Sequence, residues 1–314
     1  MVNNLCCNFE AAMKKIIGYL NEYFIAVDKR ILITASVFIA IAIFINYNYN
    51  LNATINRLND PGSFAAWYLV FLIAFGSGYI LLFLFKETPV WINKKFLLLL
   101  LIAPLVFAWK MVYSIQLPIS NDAIENDYWN DVIYWPFKIA GVVLMLLLIH
   151  RFFDKGKPFY VTSFSGLDLK PYLLMLAIMV PLVAAASTQP DFLAMYPKFQ
   201  KVPFLMQENR GWHKLVYELS YGSDFFTIEL FFRGFLVLAF AKWVGKDAIL
   251  PMALFYCTIH FGKPLGECIS SYFGGMILGV VTFHTRSIYG GLLVHVGIAW
   301  LMELGGYLGH EYIL

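Results

Sequence analysis

The chain has 314 residues, of which 60% are hydrophobic, 18% aromatic and only 14% charged, with a mean hydropathy of +0.68. Ordinary soluble domains are about 45–50% apolar and about 25% charged, so a soluble fold could not hide this much apolar surface; a polytopic helical membrane protein fits. The formal net charge of +3 is small and scattered, and no basic run is flanked by stacking aromatics, which excludes a nucleic-acid partner.

Residues 1–23 carry Glu10, Lys14 and Lys15 and lack a clean apolar run before a small-residue cleavage site. They are expected to form a short amphipathic lead-in on the cytoplasmic side, with Cys6 and Cys7 as unmodified thiols rather than acyl acceptors. A spanning helix needs roughly 20 mostly apolar residues. Nine stretches come near this, at 31–47, 65–86, 96–116, 132–152, 171–188, 216–241, 248–261, 268–284 and 288–308. The seventh is short and the sixth long. The predicted fold is therefore all-α, a transmembrane helix bundle of about 8–9 spans. Residues 1–188 would hold the lead-in and five accessory spans, and residues 189–314 a core.

Cations mark the cytoplasmic side in short loops. Lys29 and Arg30 precede the first span, Lys86, Lys94 and Lys95 follow the second, and Arg151, Lys155, Lys157 and Lys170 follow the fourth. Lys242 and Lys246 follow the sixth, and Arg286 follows the eighth. This charge placement predicts a cytoplasmic N-terminus in a plasma (inner) membrane protein. Residues 188–214 break the pattern with Lys198, Lys201, Arg210 and Lys214, and are expected to lie along the membrane interface.

The chemistry concentrates in the last spans. Glu229 and Arg233 lie four apart in an otherwise apolar stretch, so on a helix they share a face and can pair. Ionisable groups in hydrocarbon are expensive and are usually paired and functional. Glu218 lies about three turns earlier on the same face, with Gly222 between, and Asp224 about one turn before Ile228. His260 closes the seventh span, where a packing role competes with a functional one. His295 lies within the apolar, glycine-rich run 290–297, where small residues permit close helix approach. A neutral imidazole there can take up or relay a proton. His284, beside Arg286, reads as a solvated face residue, and Glu267 as a helix-capping acid. Cys257 and Cys268 read as buried thiols, and the run 270–279 as a close-packed face. No zinc-type spacing occurs. Glu229, His260 and His295 could meet as a His-His-Glu metal site, but a site without metal or cofactor is preferred because Arg233 already serves Glu229 as charge partner.

These residues resemble the CAAX-protease and bacteriocin-processing (CPBP, or Abi) family of intramembrane proteins. That family's pattern is a Glu-Glu pair, three residues and Arg; then Phe, three residues and His; then His, three residues and Asn or Asp. Here the elements read Ile228-Glu229 through Arg233-Gly234, Tyr256 through His260, and His295 through Ala299, and the resemblance covers roughly 217–308. It implies an all-helical membrane protease. In such a protease the first Glu, with a His, activates water, the second His and the Asn stabilise the oxyanion, and the second Glu and the Arg hold the site together. Some members remove the last three residues of prenylated proteins, and many bacterial ones act on other peptides.

Three departures stand out. Ile228 replaces the water-activating Glu, Ala299 replaces the Asn, and Tyr256 replaces the Phe, the last a mild change. Three explanations stay open: Glu229 acts as the base, Asp224 or Glu218 substitutes for it, or proteolysis is lost and the fold retained. The leading reading is an intramembrane endopeptidase. In it His260 shares proton handling with a carboxylate, Glu229 first among the choices, His295 donates to the oxyanion, and Arg233 fixes Glu229. Its partners would be the lipid bilayer and a peptide or membrane-protein substrate, lipidated or not. The rivals are an inactive immunity or scaffold protein and a proton-coupled transporter, although no inverted repeat supports the latter.

Overall fold

The structure is a computed structural model describing residues 2–87, 93–160 and 169–312, with side chains from residue 13 onward. Cys6, Cys7 and Glu10 therefore lie outside the described side chains. In chain order the first half comprises α1 (Val2–Ala26), α2 (Lys29–Tyr49), α3 (Leu51–Asn56), α4 (Asp60–Lys86), α5 (Lys94–Val112), α6 (Ala123–Phe153) and α7 (Lys170–Ala186). The second half comprises α8 (Pro190–Leu193), α9 (Gly211–Ser223), α10 (Phe225–Ile228), a π-helical stretch (Glu229–Ala239), α11 (Ala241–Val244), α12 (Ile249–Thr258), α13 (Leu265–Thr285) and α14 (Tyr289–Tyr312). All regular elements among the described residues are helical.

The apolar pattern of α2 shows why these segments suit a bilayer. Ile31, Ala35, Ile39 and Ile43 are buried on one face, while Ile33, Val37 and Ile41 remain 62%, 53% and 54% exposed on the other. A water-facing helix would be polar on its second face; here both faces are apolar, because one meets protein and the other lipid. Side-chain caps set where spans begin. Asp28 accepts from the Arg30 N–H, Asn59 from Gly62 and Asp122 from Glu125, each satisfying a backbone donor that the helix cannot.

Six of the described helices are long and apolar enough to cross a membrane: α2, α4, α5, α6, α13 and α14. The other three expected spans take different forms. The fifth corresponds to α7, with 17 residues. The sixth breaks into α9, α10 and the π-helical stretch. The seventh is the 10-residue α12, about 15 Å long at an α-helical rise. Hydropathy reports apolar length; it does not report helix breaks inside a shielded core. Every residue of α12 is buried, enclosed by α2, α4, α13 and the π-helical stretch. An aromatic knot closes around it. Phe255 packs on Phe71 at 4.8 Å and on Phe232 at 5.3 Å, and Phe107 on Phe231 at 5.1 Å. Such pairs contribute about 0.5–1.5 kcal/mol each beyond area burial.

Two peripheral expectations change. Residues 188–210 fold onto the bundle: Tyr196, Val202, Phe204 and Leu205 are buried, and Phe204 stacks on Tyr128 of α6 at 4.8 Å. Amphipathic character drives this segment onto an apolar protein face as readily as onto lipid. His284 is not simply solvated, since its ring stacks on Tyr19 of α1 at 4.4 Å. Ile16 of α1 is buried with Tyr172, Leu278, Val281 and Val294, so the lead-in docks on the bundle.

Candidate active site

Glu229 opens the π-helical stretch, whose eleven residues are all buried. A wider i→i+5 turn is uncommon and occurs frequently at functional sites. The expected pair with Arg233 forms, with Nη1 3.3 Å from Glu229 Oε1 and both side chains fully buried. The guanidinium also lies face-on over the Tyr256 ring at 4.4 Å. A desolvated cation–π contact of this kind is worth about 2 kcal/mol.

α14 brings His295 to the same carboxylate. Its Nδ1 lies 2.6 Å from Glu229 Oε1, and its Nε2 lies 2.6 Å from the Tyr256 hydroxyl. The imidazole stacks on Phe225 of α10 at 5.4 Å. One turn before His295, Gly291 makes the approach possible, because a methyl group there would collide with the Glu229 carboxylate. On the other side Tyr256 is pressed against α13, where a methyl at Gly275 would sit 2.9 Å from its ring. The small-residue faces expected around 270–279 and 290–297 thus hold the site together.

His260 lies in the turn after α12. Its Nδ1 is 3.0 Å from the Tyr256 carbonyl, and its ring meets the Tyr256 ring at 4.7 Å. The structure therefore joins Arg233, Glu229, Tyr256 and His295 by direct contacts, and His260 reaches them through Tyr256. The partnership of Glu229 is with His295, not with His260 as expected. Tyr256, taken in the sequence as a mild replacement, is the junction of the set; its hydroxyl was the available signal, being a polar group at a position where the family pattern has none.

The two substitute carboxylates lie elsewhere. Asp224 pairs with Lys110 of α5 at 2.7 Å and accepts from the Thr227 hydroxyl at 2.9 Å. Glu218 faces Glu303 of α14 and Lys198. Around them, Glu303 accepts from the Lys198 backbone N–H at 2.8 Å, and Lys263 donates to the Tyr196 hydroxyl at 2.9 Å, beside Glu267. Burial, then the nearby Lys263 ammonium, push Lys198 down to about 7, against the pull of Glu303 and Glu267. Ile228 and Ala299, at the two positions where the family pattern has polar residues, are 8% and 3% exposed. Cys257 and Cys268 are free and buried. Among the described residues no three His, Cys, Asp or Glu side chains group closely enough to hold a metal ion.

Residues 223–301, roughly a quarter of the chain, match the family model described as "Rce1-like: Type II CAAX prenyl endopeptidase Rce1-like". No curated protein and no solved structure matches the chain. The matched segment contains Glu229, Arg233, Tyr256, His260, Gly291 and His295, so over that quarter of its length the chain is similar to the CAAX-protease (CPBP) family.

Proposed function

We propose that the chain is an intramembrane endopeptidase of the CAAX-protease type, in which His260 activates water for attack on a peptide carbonyl. One observation carries this reading. Three separate segments place Glu229, Arg233, Tyr256, His260 and His295 in one connected group inside a hydrophobic bundle. Chance packing does not favour so many costly polar groups in one place.

In this reading His260 takes a proton from water, hydroxide adds to the carbonyl carbon, and the imidazolium returns the proton to the leaving amine. Arg233 and Glu229 fix His295 beside it. Because Nε2 of His295 accepts from the Tyr256 hydroxyl, His295 donates to the oxyanion only once that nitrogen is itself protonated and released from Tyr256. The substrate would be a membrane-embedded or membrane-tethered peptide, and the N-terminal accessory helices would shield the core from lipid.

The test uses purified protein in liposomes with co-reconstituted membrane peptides, prenylated and unprenylated, and mass spectrometry of the products. Cleavage by the wild type that is lost in His260→Ala supports the reading. Persistence of the cellular phenotype in the double variant His260→Ala, His295→Ala refutes it. A second reading draws on Ile228 and Ala299. Two apolar residues at positions where the family pattern has polar ones suit an inactive member retained as an immunity or scaffold protein, and that phenotype would then survive the double variant.

A further inference from the structure

Tyr256 touches every polar member of the group except Glu229. Its hydroxyl meets His295, its carbonyl meets His260, and its ring carries Arg233. The donor and acceptor rules then limit where the protons sit. Glu229, as the carboxylate partner of Arg233, can only accept, so Nδ1 of His295 donates to it. In a neutral ring Nε2 then carries a lone pair, and the Tyr256 O–H at 2.6 Å is placed to donate to it. A carbonyl oxygen also only accepts, so Nδ1 of His260 donates to the Tyr256 backbone, and Nε2 of His260 carries the lone pair.

We infer that Tyr256 is a positioning residue that holds both imidazoles in the Nδ1–H form and covers the basic nitrogen of His295 alone. Among the described residues no hydrogen bond reaches Nε2 of His260, which is thereby the one uncapped basic nitrogen of the pair. The chain lacks a carboxylate at Ile228, and this arrangement orients a neutral imidazole for general-base work without one. The assignment of His260 as the base rests on the protease reading above; the tautomer assignment stands on geometry alone.

The test is solid-state nuclear magnetic resonance on the full chain in lipid bilayers, with isotopically labelled ring nitrogens in histidine, at mildly alkaline pH. Spectra of His260→Gln and His295→Gln assign the two rings. In the wild type both rings are expected to show a protonated Nδ1 and a bare Nε2. In Tyr256→Phe, which keeps the ring beneath Arg233, the Nε2 signal of His295 is expected to move markedly and lose its hydrogen-bonded position. The His260 signal should stay put, because its partner is backbone; that constancy also reports an intact fold. A wild-type His295 carrying its proton on Nε2, or a His295 signal indifferent to Tyr256→Phe, overturns the proposal.

A kinetic measurement separates this from the protease reading. With a cleavable peptide, Tyr256→Phe is expected to lower kcat roughly 10-fold or more with KM little changed, as for removal of an orienting partner. A peptide cleaved by Tyr256→Phe at the wild-type rate also overturns the positioning role. If no peptide is cleaved by any form while the tautomer pattern is present, the protease reading fails and the role of Tyr256 in placing the protons stands.

Discussion

Two buried polar clusters share one face of α14, separated by the eight residues from His295 to Glu303, about 12 Å of helix. The His295 cluster is carried by helices and their last turns, and its carboxylate and imidazole meet at 2.6 Å. The Glu303 cluster is carried partly by residues 188–210, and it leaves acceptors unmatched. Both clusters hold buried polar atoms without a hydrogen-bond partner among the described residues: both oxygens of Glu218 and Oε1 of Glu303 in the one, Glu229 Oε2 and the three Arg233 nitrogens in the other. The difference lies in charge pairing: Glu229 has Arg233 and His295 against it, whereas Glu218 faces a second carboxylate, Glu303. A carboxylate paired with a cation and an imidazole fixes where protons sit, whereas two facing carboxylates share a site that titrates.

The largest effect that separates the clusters is on rate. His260→Ala is expected to lower peptide cleavage by about 10²–10⁴-fold, the usual loss for a general base. Stability should change little, because its ring bonds only a carbonyl one turn away. Glu218→Gln and Glu303→Gln should leave cleavage within a few fold. Comparable losses from these glutamine variants would mean that the two clusters act as one site.

Stability comes next. Arg233→Met keeps most of the volume but leaves Glu229 uncompensated in a fully buried position. A cost of about 3–5 kcal/mol is expected, read from reversible unfolding in mixed micelles. Glu218→Gln should be neutral or stabilising in the same assay, since it relieves the juxtaposition of two buried carboxyl groups. Gly291→Ala tests the close approach of α14. Its methyl would strike the Glu229 carboxylate, and overpacking of this kind costs about 1–3 kcal/mol.

The last effect concerns pH. Lys198 is pushed from 10.5 down to about 7 in the folded chain. Between those values the unfolded chain binds more protons than the folded one, so this residue makes stability rise as pH increases from about 7 toward 10.5. The gap in Tm between wild type and Lys198→Met should therefore narrow across that window. A gap that widens would place the sign of the effect elsewhere.

Much of this was legible in the sequence. The i, i+4 spacing of Glu229 and Arg233 anticipated their ion pair, and three motif elements in order pointed to the family whose model matches residues 223–301. Helix class and breaks were not legible. Apolar periodicity cannot distinguish a π-helical stretch from an α-helix in a segment buried on all sides, so Glu229–Ala239 read as ordinary helix. Long-range partners were hidden as well. A helical wheel turns Asp224 toward the site, but Lys110, more than a hundred residues earlier, claims its carboxylate. Tyr256 was undervalued because a Phe-to-Tyr replacement conserves shape, while its consequence depends on which nitrogen its hydroxyl meets.

The most direct measurement of the central claim is the origin of the oxygen in a cleaved peptide. Wild-type protein in liposomes, given a co-reconstituted membrane peptide in water enriched in heavy oxygen, is expected to yield a product whose new C-terminal carboxylate contains one heavy oxygen from solvent. His260→Ala is expected to yield no such product. Cleavage by His260→Ala at the wild-type rate, or intact peptide in every reaction, would contradict a His260-activated hydrolysis within the membrane.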